Sequence, residues 1–87
     1  MSILFTPMKI GNVEIPNRFI TSATHEGMAA KTGEVSDELI KRYERLANGR
    51  VGLCITGMMY VHGSGRGFKN HTGIHNDNMI AGLKRMV

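Results

Sequence analysis

Two stretches rich in small residues are the part of this sequence best suited to chemistry. Each follows a segment predicted to be a β-strand, and in parallel α/β folds ligands lie at the carboxyl ends of the strands. Small side chains let a flat ligand approach the backbone closely, so the spacing indicates a ligand-binding edge. Ordinary turn chemistry between strand and loop is the alternative. The residues are Ser22, Ala23, Thr24 and His25 after the first strand, and Thr56, Gly57 and Met58 after the second.

The glycine-rich segment 63–68 invites interpretation as a phosphate-binding loop. Phe68 occupies the third glycine position of the dinucleotide fingerprint. The segment is also far from the start of the next predicted helix, so no helix dipole would meet a phosphate there. We expect a tight turn instead.

Metal and thiol chemistry are disfavoured. His62, His71 and His75 share one predicted loop, but no accompanying motif gives them the spacing of metal ligands. Cys54 lies inside an apolar run and is expected to be a small buried hydrophobe rather than a reactive thiolate. The sequence therefore predicts no metal site, and no catalytic residue is assigned within these 87 residues.

The elements that must position these residues follow the order hairpin, strand, helix, strand, helix. Alternating apolar and polar residues around Gly11-Asn12 predict the hairpin. Ser36 is a suitable N-cap for the first helix, and Asn48-Gly49 is expected to end it with a left-handed residue. The segment 57–75 is expected to be a long loop. The predicted ranges are 8–15 for the hairpin, 18–22 and 51–56 for the strands, and 36–47 and 77–87 for the helices.

The apolar run 51–56 lacks alternation, as expected for a strand covered on both faces in a parallel sheet. A strand–helix–strand unit of this kind is right-handed in nearly all known cases. Two parallel strands and two helices do not enclose a core, although 41% of the 87 residues are hydrophobic. We therefore expect an α/β architecture that is incomplete as a single chain.

The charge pattern disfavours a nucleic-acid binder. The formal net charge is +4, but the basic residues are spread from Lys9 to Arg85 and the few aromatic residues form no ladder with them. No secretory signal is visible, and no apolar run approaches the ~20 residues that cross a bilayer. A lone cysteine is consistent with a reducing compartment, so a cytoplasmic location without membrane contact is expected.

Five segments stand in order along the chain: LFTPMKIGN at 4–12, NRFITSAT at 17–24, GLCITG at 52–57, Tyr60-Val61 with Gly65-Arg66-Gly67, and TGIHND at 72–77. These motifs resemble the start of the Old Yellow Enzyme family, and in particular its NADH oxidase and enoate-reductase-like branch. The resemblance covers essentially all 87 residues. It implies an FMN-dependent NAD(P)H oxidoreductase, with this chain forming the N-terminal fragment of a TIM (β/α)8 barrel.

The resemblance also assigns roles to individual residues. The backbone of Ser22, Ala23 and Thr24 would pack on the flavin ring, and the His25 side chain would tune the flavin near O4. Gly57 would be a small residue that contacts the isoalloxazine. The hairpin would close the bottom of the barrel, and the loop that contains Arg66 would lie on the substrate side. Full-length relatives would pass hydride from NAD(P)H through flavin N5 to an activated alkene or a similar acceptor.

A complete barrel has eight strands and about 250 residues. By resemblance, the substrate-binding pair, the general acid and the phosphate site lie beyond residue 87. The chain is therefore expected to supply one wall of the flavin pocket, to bind FMN weakly at best without the rest of the barrel, and to be inactive alone. The rest of the barrel or a second copy would be its partner. The alternative is a non-catalytic assembly module that self-associates through its open strand edges.

Overall fold

The computed structural model describes residues 2–87, in which a 3-10 turn at Ile3–Phe5 precedes the predicted β-hairpin. Strands β1 (Met8–Ile10) and β2 (Val13–Ile15) pair antiparallel, with Met8 opposite Ile15. The turn between them needs a left-handed residue, and Gly11 supplies it with a φ of 61°. The prediction for 8–15 is confirmed.

A parallel pair of strands follows. Strand β3 (Ile20–Thr21) lies beside β4 (Leu53–Cys54), with Ile20 opposite Leu53. Both strands are shorter than the predicted ranges 18–22 and 51–56. Backbone hydrogen bonds nevertheless extend the pairing, since the Leu53 N–H donates to Phe19 O and the Ile55 N–H donates to Thr21 O. The pairing cannot start earlier, because the Arg18 N–H turns away to donate to Leu4 O at 2.9 Å.

Helix α1 (Asp37–Asn48) connects the two strands. Its predicted cap is confirmed, since the Ser36 hydroxyl oxygen accepts the Leu39 N–H at 3.1 Å. The predicted ending is wrong. Gly49 keeps a right-handed φ of −74°, and Arg50 is the left-handed residue, with a φ of 63°. The Arg50 carbonyl accepts a hydrogen bond from Asn17 Nδ2 at 2.8 Å, which holds this unusual conformation in place.

The expectation of a single long loop over 57–75 is also wrong. Strand β5 (Met59–Tyr60) pairs in parallel with β6 (Thr72–Gly73). The Gly73 N–H extends this contact by donating to Gly33 O at 2.9 Å. Two-residue strands are too short to leave an alternating pattern in the sequence, so only tertiary contacts define them.

The last predicted helix, 77–87, is divided. Asn76 caps a 3-10 turn at Asp77–Met79, and helix α2 (Ile80–Met86) continues from it. Helix α2 packs against α1, and Gly82 lies against Val35, where an added Cβ would meet the Val35 Cβ at 3.0 Å. Arg85 and Asp37 form an ion pair at 2.7 Å that holds the pKa of Asp37 below its ordinary value.

The core is small, and its residues come from the hairpin, α1, β5, the turn before α2 and the segment before α1. Several large apolar side chains of the β3–β4 sheet remain exposed, including Ile20 and Ile55 at 48% each. Cys54, expected to be buried, is half-buried. No helix within residues 2–87 has the length and apolar character needed to cross a membrane. The buried apolar residues are Ile15, Ala29, Val35, Leu39, Tyr60 and Met79.

Candidate functional site

The segment that leaves β3 is open and unpaired. Ser22, Ala23 and Thr24 are exposed and lie in no regular element. Within residues 2–87 their backbone N–H groups have no hydrogen-bond acceptor, while the Thr24 hydroxyl donates to Ser22 O at 3.2 Å. The chain therefore presents free backbone donors between small side chains at the carboxyl end of this strand.

His25 ends this segment, and aromatic rings hold its imidazole. It stacks on Phe68 with ring centroids 4.5 Å apart, and it meets the edge of His71 at 5.6 Å. Its Nδ1 atom is buried and has no partner within residues 2–87. The imidazole is thus fixed by contacts with rings rather than by a hydrogen bond at Nδ1.

His71 is the centre of an aromatic cluster that the sequence did not predict. It is 4% exposed, and its Nδ1 atom accepts the Gly67 N–H at 3.1 Å. In the neutral ring the proton therefore lies on Nε2, which is buried without a partner in the described part of the chain. Tyr60 contacts the His71 ring edge-on at 5.1 Å and stacks on His75 at 4.7 Å.

His25, His71 and His75 lie among aromatic rings. In the described residues no group of His, Cys, Asp or Glu is arranged to hold an ion. Their shared neighbours are aromatic rings, which bind a metal ion poorly compared with carboxylates or thiolates.

Arg66 fastens the loop between β5 and β6. Its guanidinium donates to the carbonyls of Lys31, Phe68 and Lys69, and it lies 5.8 Å from the centroid of the Tyr60 ring. The resemblance placed this loop on the substrate side, but the bonds of Arg66 are all internal. The loop turns through a 3-10 segment at Gly63–Gly65, in agreement with the tight turn expected there.

Sequence reasoning missed a polar contact between the two strand exits. The Gly57 N–H donates to the Tyr43 hydroxyl oxygen at 2.9 Å and to Glu26 Oε2 at 3.2 Å. The Tyr43 hydroxyl in turn donates to Glu26 Oε2. We call these three residues the Glu26 junction. It joins the loop after β3, helix α1 and the segment after β4.

The environment of the junction keeps Tyr43 protonated. Burial, and then the hydrogen bond to Glu26, raise the pKa of Tyr43 from its ordinary 10.0 to about 12. A signal for this contact was present in the sequence. Tyr43 belongs to the apolar stripe of α1, and a tyrosine hydroxyl on a packed face requires a polar partner.

Gly57 is buried, and packing within the chain excludes a side chain there. A Cβ at this position would collide with the Thr24 carbonyl oxygen and with Glu26 Oε1, and it would lie 2.6 Å from Glu26 Cδ. The two predicted small-residue stretches therefore meet at Thr24 and Gly57. Of the five predicted site residues, Ser22, Ala23, Thr24 and His25 form one edge, of which the first three are exposed and His25 is half-buried. Gly57 is buried against Thr24.

The sequence pattern of the NADH:flavin oxidoreductase / NADH oxidase family matches residues 3–87. The chain belongs to this family. A metal reductase of Desulforamulus reducens is 37% identical over all 87 residues. An N,N-dimethylglycine/sarcosine dehydrogenase of Chromohalobacter salexigens is 43% identical over 54 residues, or 62% of the chain.

Solved structures of this family have the same fold over nearly the whole chain. A 2-naphthoyl-CoA reductase aligns with a TM-score of 0.93 and 29% identity over 97% of the chain. The old yellow enzyme from Pichia sp. AKU4542 aligns with a TM-score of 0.90 and 25% identity over 98% of the chain.

The matched proteins are much longer than these 87 residues. The chain spans 13% of the metal reductase, 8% of the dehydrogenase, 13% of the 2-naphthoyl-CoA reductase and 22% of the Pichia enzyme. The chain is therefore consistent with a fragment of such a protein, and most residues of each relative have no counterpart in it.

Proposed function

We propose that this chain forms one wall of an FMN site in an oxidoreductase that takes hydride from NAD(P)H and passes it to an activated alkene or a similar acceptor. The observation that carries the proposal is the exposed edge at Ser22, Ala23 and Thr24, whose backbone N–H groups have no acceptor within residues 2–87. The chain belongs to a flavin oxidoreductase family, so a flavin is the ligand that this edge would bind. The chain would contribute this wall, and the remainder of a barrel would complete the site.

The edge suits a flat aromatic cofactor. Its side chains are small, so a planar ring system can lie against the backbone, and free N–H groups match the carbonyl and imine acceptors of a flavin. The flavin would supply the hydride chemistry when bound, and the protein supplies orientation and electrostatics. Ser22, Ala23 and Thr24 would orient the ring by backbone contact.

His25 would act beside the flavin ring rather than under it. Its imidazole is held by Phe68 and His71, so its position relative to the Thr24 backbone is fixed. A fixed imidazole near the pyrimidine side of the ring would alter the stability of the reduced form. Gly57 would act from behind, because its close contact with Thr24 supports the edge.

Titration of FMN with the purified chain tests the proposal. We expect a shifted visible flavin band, and weaker binding by at least about tenfold in Ala23→Leu, where a larger side chain would stand between ring and backbone. Ala81→Leu is the matched control, since Ala81 is exposed on α2, away from the edge. A spectrum of FMN that stays unchanged at saturation would refute binding by this chain.

Self-association is the second candidate function. Phe19, Ile20 and Ile55 of the β3–β4 region are exposed by 43%, 48% and 48%, and strand edges with such side chains favour pairing with a second copy. Size-exclusion chromatography with light scattering distinguishes the cases. A dimer or larger assembly supports this candidate, and a stable monomer at high protein concentration contradicts it.

A further inference from the structure

The Glu26 junction connects three parts of the chain that are distant in sequence. Glu26 lies in the loop after β3, Tyr43 on α1, and Gly57 in the segment after β4. A single carboxylate oxygen, Oε2, accepts both the Tyr43 hydroxyl and the Gly57 N–H. Because the acceptor is charged, these hydrogen bonds are stronger than neutral ones.

We propose that Glu26 and Tyr43 are positioning residues that hold Gly57 against the Thr24 carbonyl and so set the shape of the edge at 22–25. The inference rests on the proposed function only in that this edge would meet the flavin. The junction itself is a property of the chain, and it can be measured without any cofactor.

The geometry explains why the junction is needed. The ladder between β3 and β4 ends at Ile55 N–H, so no strand hydrogen bond fixes the backbone at Thr24 relative to Gly57. Parallel strands that leave a sheet tend to diverge, because each continues with its own twist. The bonds of Gly57 to Tyr43 and Glu26 replace the missing ladder beyond that point.

The Tyr43 hydroxyl both accepts and donates within the junction. It accepts the Gly57 N–H at 2.9 Å and donates its own O–H to Glu26 Oε2. This arrangement requires a protonated tyrosine and an acceptor oxygen at the position of Glu26 Oε2. Loss of this arrangement would leave the Gly57 N–H with weaker partners and would free the segment after β4.

Hydrogen exchange at the Gly57 amide, followed by NMR on the 87-residue chain, tests the inference. In Glu26→Ala we expect exchange at Gly57 to be faster by at least about tenfold, while the amide of Leu39 in α1 keeps its protection. Glu26→Gln retains an acceptor oxygen in the same place and should restore part of the protection. Glu44→Ala is the matched control, because it removes an exposed carboxylate from α1 with the same change of charge.

The outcomes are distinct. Exchange at Gly57 within about twofold of the wild type in Glu26→Ala would overturn the inference. If Glu26→Ala also loses protection at Leu39, the chain has unfolded, and the Tyr43→Phe variant then tests the inference in its place. That variant keeps the ring but removes the hydroxyl, so faster exchange at Gly57 alone supports the junction and unchanged exchange overturns it.

The titration of the Tyr43 phenol, followed by spectroscopy, distinguishes a specific role of the junction from a general effect of packing. The hydrogen bond to Glu26 is one cause of the raised pKa of Tyr43. In Glu26→Ala the pKa of Tyr43 should therefore move from about 12 toward the ordinary 10.0. The Glu44→Ala control should leave that titration in place.

Binding of FMN is measured in a separate experiment. If the wild-type chain binds FMN, Glu26→Ala should weaken binding by about tenfold while Glu44→Ala does not. Wild-type protein that does not respond to FMN would count against the proposed function, while the exchange rates still decide whether Glu26 positions Gly57.

Discussion

The imidazole of His25 stacks on the ring of Phe68, with centroids 4.5 Å apart and planes inclined by 30°. Phe68 comes from the loop between β5 and β6, so a residue 43 positions away from His25 fixes the orientation of the only histidine on the proposed flavin edge. The stack joins the substrate-side loop suggested by family resemblance to the exit of β3.

Replacing Phe68 should free the His25 ring. In Phe68→Leu we expect the ring-proton resonances of His25 to shift toward those of a solvated histidine, because the ring current of the phenyl group is lost. The NMR spectrum of the imidazole protons measures this. Phe5→Leu is the control, since Phe5 contacts Phe19 at 5.5 Å and lies in a different part of the chain. Unchanged His25 resonances in Phe68→Leu would show that the stack does not orient the ring.

A side chain at Gly57 should destabilise the fold. Gly57→Ala forces a Cβ against the Thr24 carbonyl and the Glu26 carboxylate, and such overpacking typically costs about 1–3 kcal/mol. Denaturant unfolding measures the loss. Gly63→Ala is the matched control because no atom lies within 4 Å of its Cβ position. Equal stability of the two variants would contradict the close contact between the strand exits.

The raised pKa of Tyr43 makes stability fall at alkaline pH. Folding favours the protonated phenol, so its stabilising effect is complete below the ordinary pKa of 10.0 and is lost as the pH rises to about 12. Unfolding free energies measured across this range should therefore decline. Tyr43→Phe has no hydroxyl to ionise and should show a smaller decline. The same slope in both proteins would assign the effect to other groups.

Leu39 should contribute most to the small core. It is 1% exposed on α1, and truncation of such a residue to alanine costs about 2–5 kcal/mol. Leu4→Ala serves as the comparison, since Leu4 is 45% exposed and its loss should cost much less. Thermal unfolding of the two variants gives the difference. A smaller effect for Leu39→Ala than for Leu4→Ala would place the core elsewhere.

Local signals in the sequence predicted the elements that depend on local chemistry. The hairpin follows from Gly11-Asn12, and the start of α1 follows from the Ser36 hydroxyl. The parallel pairing of β3 and β4 was predicted from the apolar run 51–56, although the ladder is shorter than that run. In these places the sequence pattern and the tertiary structure agree.

The errors occur where distant residues decide the conformation. Asn17 holds Arg50 in the left-handed region, so the helix ends one residue later than Gly49 would indicate. Strands β5 and β6 form because they meet each other across the loop. The Glu26 junction escaped prediction for the same reason, since Glu26 and Gly57 are 31 positions apart.

The most direct test of the account is a map of backbone amide resonances during titration of the chain with FMN. We predict that the shifts concentrate at Ser22, Ala23, Thr24, His25 and Gly57, with little change in the hairpin or α2. Shifts confined to the hairpin or to α2, or no shifts at saturating FMN, would contradict a flavin wall at the exit of β3.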